Sequence, residues 1–132
     1  MLTVVGALVA VMLMATAALA HITFFDIDNT AFRTSPTTVN VRGTIQCTAG
    51  ETYTIRVTLT QDGNTGQGTQ RGFCSGDLQT WQVEVQLVRG TGFQEGPATA
   101  CAAAQTRERG TDHRDALRHC ETVQIQEVQG GG

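Results

Sequence analysis

Between residues 37 and 61 the apolar side chains fall on every second position, an alternation that restricts this stretch to β-strands with one buried face. Val39, Val41, Ile45 and Cys47 take odd positions, with Asn40, Arg42, Thr44 and Gln46 between them. Tyr53, Ile55, Val57 and Leu59 repeat the pattern against Thr52, Thr54, Arg56, Thr58 and Thr60. Ala49-Gly50 breaks the run where glycine can adopt a positive φ, so two strands joined by a tight hairpin turn are expected.

The same reasoning extends along the chain. Residues 21–28 form a first strand, and residues 29–36 read as a loop. Asp62-Gly63-Asn64-Thr65-Gly66 is a turn, followed by a weaker strand over 67–74 that ends in Ser75-Gly76-Asp77. Trp81, Val83, Val85 and Leu87 mark the clearest later strand, with Trp81 expected to pack against a disulfide. Residues 89–97 are a glycine-rich connection between sheets. Ala98 to Ala104 predicts a strand of small residues where two layers approach closely. Residues 106–118 read as a charged loop with one helical turn capped by Thr111 or Asp112, and residues 121–128 form the last strand. Seven short strands without helical periodicity predict an all-β fold, an immunoglobulin-like two-sheet sandwich.

Residues 1–20 are uncharged and end in Ala18-Leu19-Ala20, the pattern of a signal peptide cleaved before His21. The domain division expected is therefore a signal peptide over 1–20, one β-sandwich domain over 21–128 and a flexible tail over 129–132, with the mature protein secreted and extracellular. Four cysteines suit an oxidising compartment. Of three connectivities, Cys47 with Cys74 and Cys101 with Cys120 is favoured, because consecutive strands tend to be spatial neighbours. The cysteines lack the CxxC spacing of a zinc site. A net charge of −3, with Arg as the sole basic residue besides His, argues against a nucleic-acid partner or an anionic membrane.

Gly43-Thr44-Ile45-Gln46-Cys47, Thr60-Gln61, Cys74-Ser75-Gly76, Gln79-Thr80-Trp81 and Gly96-Pro97-Ala98-Thr99-Ala100 resemble the secreted actinobacterial immunoglobulin-like sandwich proteins of unknown function. The resemblance spans residues 37–128. It implies export and a sandwich and brings no activity with it; the second cysteine pair, Cys101 and Cys120, departs from the family's pattern.

Candidate chemistry is sparse. Freed by cleavage, the amine and ring of His21 would chelate Cu(II), with Asp112, His113 or His119 completing the site. That arrangement resembles small periplasmic copper carriers, and copper binding stands as the alternative function. Asp26 and Asp28 offer paired carboxylates or a calcium contact. Ser35 and Ser75 lack a nucleophile's setting. Arg107, Arg109, Arg114 and Arg118 interleave with Glu108, Asp112 and Asp115 and are expected to neutralise one another in a solvated loop. No catalytic residue is assigned. Phe93, expected to plug one end of the fold, and residues 106–118 are the candidate contact surfaces. The expectation is a secreted, disulfide-stabilised, non-enzymatic extracellular binding or envelope-associated module, with no cofactor and an unidentified extracellular ligand or protein as partner.

Overall fold

A computed structural model describes residues 21–111 and 114–128. The signal peptide expected over 1–20 and the tail expected over 129–132 lie outside the described residues. Eight strands are present and no helix among the described residues: β1 (Ile22–Ile27), β2 (Thr30–Ser35), β3 (Thr38–Cys47), β4 (Thr52–Gln61), β5 (Asn64–Phe73), β6 (Gln79–Arg89), β7 (Gly96–Arg107) and β8 (Arg114–Glu127). All belong to one hydrogen-bonded sheet in the order β1-β3-β2-β8-β7-β4-β5-β6, and β6 pairs back onto β3. The fold is thus all-β, as expected. Where two separate sheets were anticipated, seven strands close into a barrel-like ring, with β1 as an eighth strand on the flank of β3.

Three further expectations change. Residues 29–36 are not a loop, because β2 pairs antiparallel with β3 and parallel with β8. β3 and β4 do not form a hairpin. One edge of β3 is taken by β1 and β2 and the other by β6, while β4 lies between β5 and β7 in the opposite wall. The turn at residues 48–51 therefore crosses the barrel end, held by Gly50 N–H on the Cys74 carbonyl and Cys74 N–H on the Glu51 carbonyl. The charged loop is shorter than expected: β7 runs on to Arg107 and β8 begins at Arg114, and the two pair without interruption over that length.

The predicted faces hold. Val39, Val41 and Ile45 of β3, Ile55, Val57 and Leu59 of β4, and Trp81, Val83 and Val85 of β6 are all buried. Each such side chain stabilises the fold by roughly 1.5–3 kcal/mol. Ala98, Ala100, Ala102 and Ala104 face inward from β7, so the small residues do mark a close approach. Trp81 stacks on Phe25 of β1, with ring centroids 5.4 Å apart. β4 turns into β5 through Asp62-Gly63, both at positive φ, the two-residue geometry that matches strand twist.

Phe93 closes one end of the barrel with no solvent exposure. Its glycine-rich loop is clasped by buried polar side chains: Asn64 Oδ1 accepts from Thr91 N at 2.9 Å and Gly92 N at 3.1 Å, and Gln61 Oε1 accepts from Gln94 N at 2.8 Å. Disulfides join Cys47 to Cys74 and Cys101 to Cys120. Each contributes roughly 3–4 kcal/mol on the chain-entropy account.

The ring has one seam. β2 reaches β8 only at residues 124–127, while β1, paired to β3, meets Asp115, His119 and Glu121 of β8 through side chains, with no ladder between the two strands. Side chains stand in for the missing partners. Asp115 Oδ2 accepts from Ile22 N at 3.1 Å, and Asp26 Oδ1 accepts from its neighbour Ile27 N at 2.8 Å.

Candidate functional site

The wall made by β5, β4, β7 and β8 carries five complete outward-facing rows, defined by register. Beginning at the end near the β7–β8 turn they read Phe73-Thr52-Arg107-Arg114, Arg71-Thr54-Gln105-Ala116, Thr69-Arg56-Ala103-Arg118, Gln67-Thr58-Cys101-Cys120 and Thr65-Thr60-Thr99-Thr122. Five of the chain's nine arginines stand here, with eight threonines and no carboxylate.

Strand alternation produces this segregation. Successive strand residues point to opposite faces, so Arg114 and Arg118 emerge on the outer wall. Asp115, between them in sequence, turns inward and is engaged by β1. The expected mutual neutralisation of this segment therefore fails for Arg107, Arg114 and Arg118. Asp112 and His113 lie outside the described residues.

A groove of about 570 Å³ indents one end of the wall, lined by Thr52, Thr54, Arg71, Phe73, Gln105, Arg107 and Arg114 among others. Arg107 and Arg114 are register partners. Like charges placed directly opposite on neighbouring strands repel one another, a cost that an anion between them removes. Among the described residues, none of the five wall arginines forms an ion pair, whereas Arg33 on the far side pairs with Glu127 at 3.4 Å and Arg42 lies over the Phe32 ring at 5.6 Å. Phe73 projects beside the groove at 69% exposure. The aromatic exposed on this wall is thus Phe73, in the weaker expected strand, while Phe93 is buried and Phe24 is exposed on β1.

Beneath the groove Tyr53 is buried, and its ring fills the space left by Gly72. A Cβ on Gly72 would stand 2.4 Å from the Tyr53 ring, so this register pair needs glycine. Burial pushes the Tyr53 phenol above its ordinary pKa.

The remaining candidates separate. The His21 Nδ1, the nitrogen a copper chelate would use, contacts the Glu51 carboxylate, and Glu51 is buried. His119 meets Glu121 and Asp26 in the seam. Ser35 bonds to Thr37 and Ser75 to Asp77, the hydroxyl roles of local turns. No helix among the described residues is long and apolar enough to cross a membrane.

No model of a known protein family matches the chain, and no curated protein matches it. Among solved structures, AggA, the major subunit of aggregative adherence fimbriae type I from Escherichia coli, is similar at a TM-score of 0.40 and 10% identity, over 81% of this chain and 94% of that one. A likeness at that level decides neither the fold nor the function.

Proposed function

We propose that the protein is an exported, non-enzymatic binding module that docks an acidic polysaccharide along the outer β5-β4-β7-β8 wall. The observation that carries this reading is the charge of the wall: five arginines and no carboxylate in five register rows, on a chain whose net charge is negative. Two disulfides in a domain of this size support an oxidising, extracellular setting. Guanidinium groups recognise planar carboxylates and sulfates through paired N–H donors. The threonine and glutamine rows add hydroxyl and amide groups at strand spacing, roughly 5 Å across and 7 Å along, suited to a hydroxyl-rich chain. On this wall one exposed aromatic, Phe73, provides an apolar platform for one sugar ring, where a nucleic-acid strand would call for a series of stacking platforms.

Immobilised polygalacturonate and heparin test this directly. Binding is expected at low ionic strength, weakening as salt screens the wall, with neutral dextran inert. Arg107→Gln with Arg114→Gln should lower affinity about tenfold or more, while Arg33→Gln on the far side leaves it unchanged. Equal binding by the double variant, or preference for single-stranded DNA over both polysaccharides, would reject the proposal.

A further inference from the structure

We propose that Asp26, His119 and Glu121 form a divalent-metal site of the zinc class that closes the seam between β1 and β8. One ligand atom from each of the three lies within 4.8 Å of the others, close enough for small side-chain rotations to bring all three onto one ion. The set is one imidazole nitrogen and two carboxylates. Zinc takes such a mixture in tetrahedral geometry, whereas calcium prefers oxygens alone.

A second observation marks the position as incomplete. Glu121 Oε2 is buried and accepts no hydrogen bond, although the rest of that side chain reaches solvent. Its nearest basic atom, His119 Nε2, stands 3.9 Å away, too far to satisfy it. A buried carboxylate oxygen without a partner is costly, and the second carboxylate, Asp26, adds like charge. An ion between them supplies the missing positive charge to both.

The fold prearranges the ligands. His119 and Glu121 are two apart on β8, so both point to the inward face. Opposite them on β7 stand Ala102 and Ala100, which leave room for long polar side chains. Cys120, between the two ligands, is tied to Cys101 of β7. β8 is therefore locked where it presents them. Asp26 arrives from β1, the strand that has no ladder to this part of β8. Coordination would replace absent hydrogen bonds with a cross-link from β1 to β8.

The test uses the disulfide-bonded protein, stripped with chelator and titrated with Zn(II) alone, and with Co(II) as a spectroscopic probe. One-to-one saturation, a rise in Tm with metal and tetrahedral Co(II) absorption bands are expected. His119→Ala should weaken zinc binding about 30-fold or more, and the near-isosteric Glu121→Gln and Asp26→Asn about tenfold each. His21→Ala, which removes the imidazole beside Glu51, should change nothing. Each variant's metal-free Tm shows whether it folds; if His119→Ala does not, the two isosteric variants decide. No saturable zinc binding, or undiminished binding in the folded variants, would overturn the proposal. The polysaccharide assay reads the outer face of the wall, the opposite side of β8 from His119 and Glu121, so either proposal can fail alone.

Discussion

The two edges of β8 teach different lessons. Along one edge β8 pairs with β7 through twelve consecutive register positions and a disulfide. Along the other it has four parallel pairs with β2, and then a seam where Asp115 reaches across to Ile22. The continuous edge builds a rigid wall whose outer rows can hold a ligand in fixed spacing. The interrupted edge leaves polar side chains facing inward without ladder partners, and those are the groups available for coordination. Regular hydrogen bonding makes the proposed recognition surface; its interruption makes the proposed metal site.

Truncation of the core should expose the contrast most strongly. Ile55 is fully buried in β4, between β5 and β7, and Ile55→Ala should cost about 3–4 kcal/mol in urea unfolding. Ile22, partly buried beside the seam, should cost about 1 kcal/mol or less on the same change. Equal losses would mean that the seam is packed as tightly as the wall.

Removing the Cys101–Cys120 bridge by double alanine substitution should cost roughly 3 kcal/mol on the chain-entropy account. It should also reduce zinc affinity, because the bridge fixes the strand between the two β8 ligands. Unchanged zinc affinity would show that the ladder alone sets their spacing.

Asp115→Ala removes a side-chain acceptor from the backbone of β1 and should cost about 1–2 kcal/mol. Hydrogen exchange at the Ile22 amide should accelerate while amides along β7 keep their protection. The reverse order would erase the distinction between the edges.

The smallest effect belongs to Tyr53. It is the chain's only tyrosine, so tyrosinate absorbance reports it alone. Burial raises its pKa in the folded wall, so the absorbance should rise only above the ordinary value of about 10. The unfolded chain releases that proton first. Stability associated with the neutral phenol is therefore intact below the ordinary pKa and is lost as pH climbs through the raised one. Tyr53→Phe should remove this alkaline contribution.

Which residues face the core was legible from alternation, as Val39 to Cys47 and Tyr53 to Leu59 show. Alternation identifies a buried face and says nothing of which strand lies alongside. β3 and β4, adjacent in sequence, consequently stand in opposite walls, and Thr30–Ser35, too polar to signal a strand, became β2 by pairing at both edges. The arginine wall was hidden for a related reason. Charges summed along residues 106–118 nearly cancel, four arginines against three carboxylates, but the pleat sends Arg114 and Arg118 one way and Asp115 the other. The seam cluster unites Asp26 with His119 and Glu121 across most of the chain, and no local motif can announce such a meeting. Phe93 as a buried plug was readable from its setting in a glycine-rich crossing loop.

The outer rows of the wall also bear on how such a protein can change. Position 56 projects outward between Ile55 and Val57, both in the core, and position 103 projects between Ala102 and Ala104 in the same way. Exposed substitutions away from caps and special backbone geometry usually alter stability by about 0.5 kcal/mol or less. On the proposed function, successive single replacements along these rows, the Cys101–Cys120 pair excepted, would redirect recognition from one charged chain to another, each leaving the barrel intact. Ligand preference and foldability are inherited on alternate residues of the same strands, free to evolve at different rates.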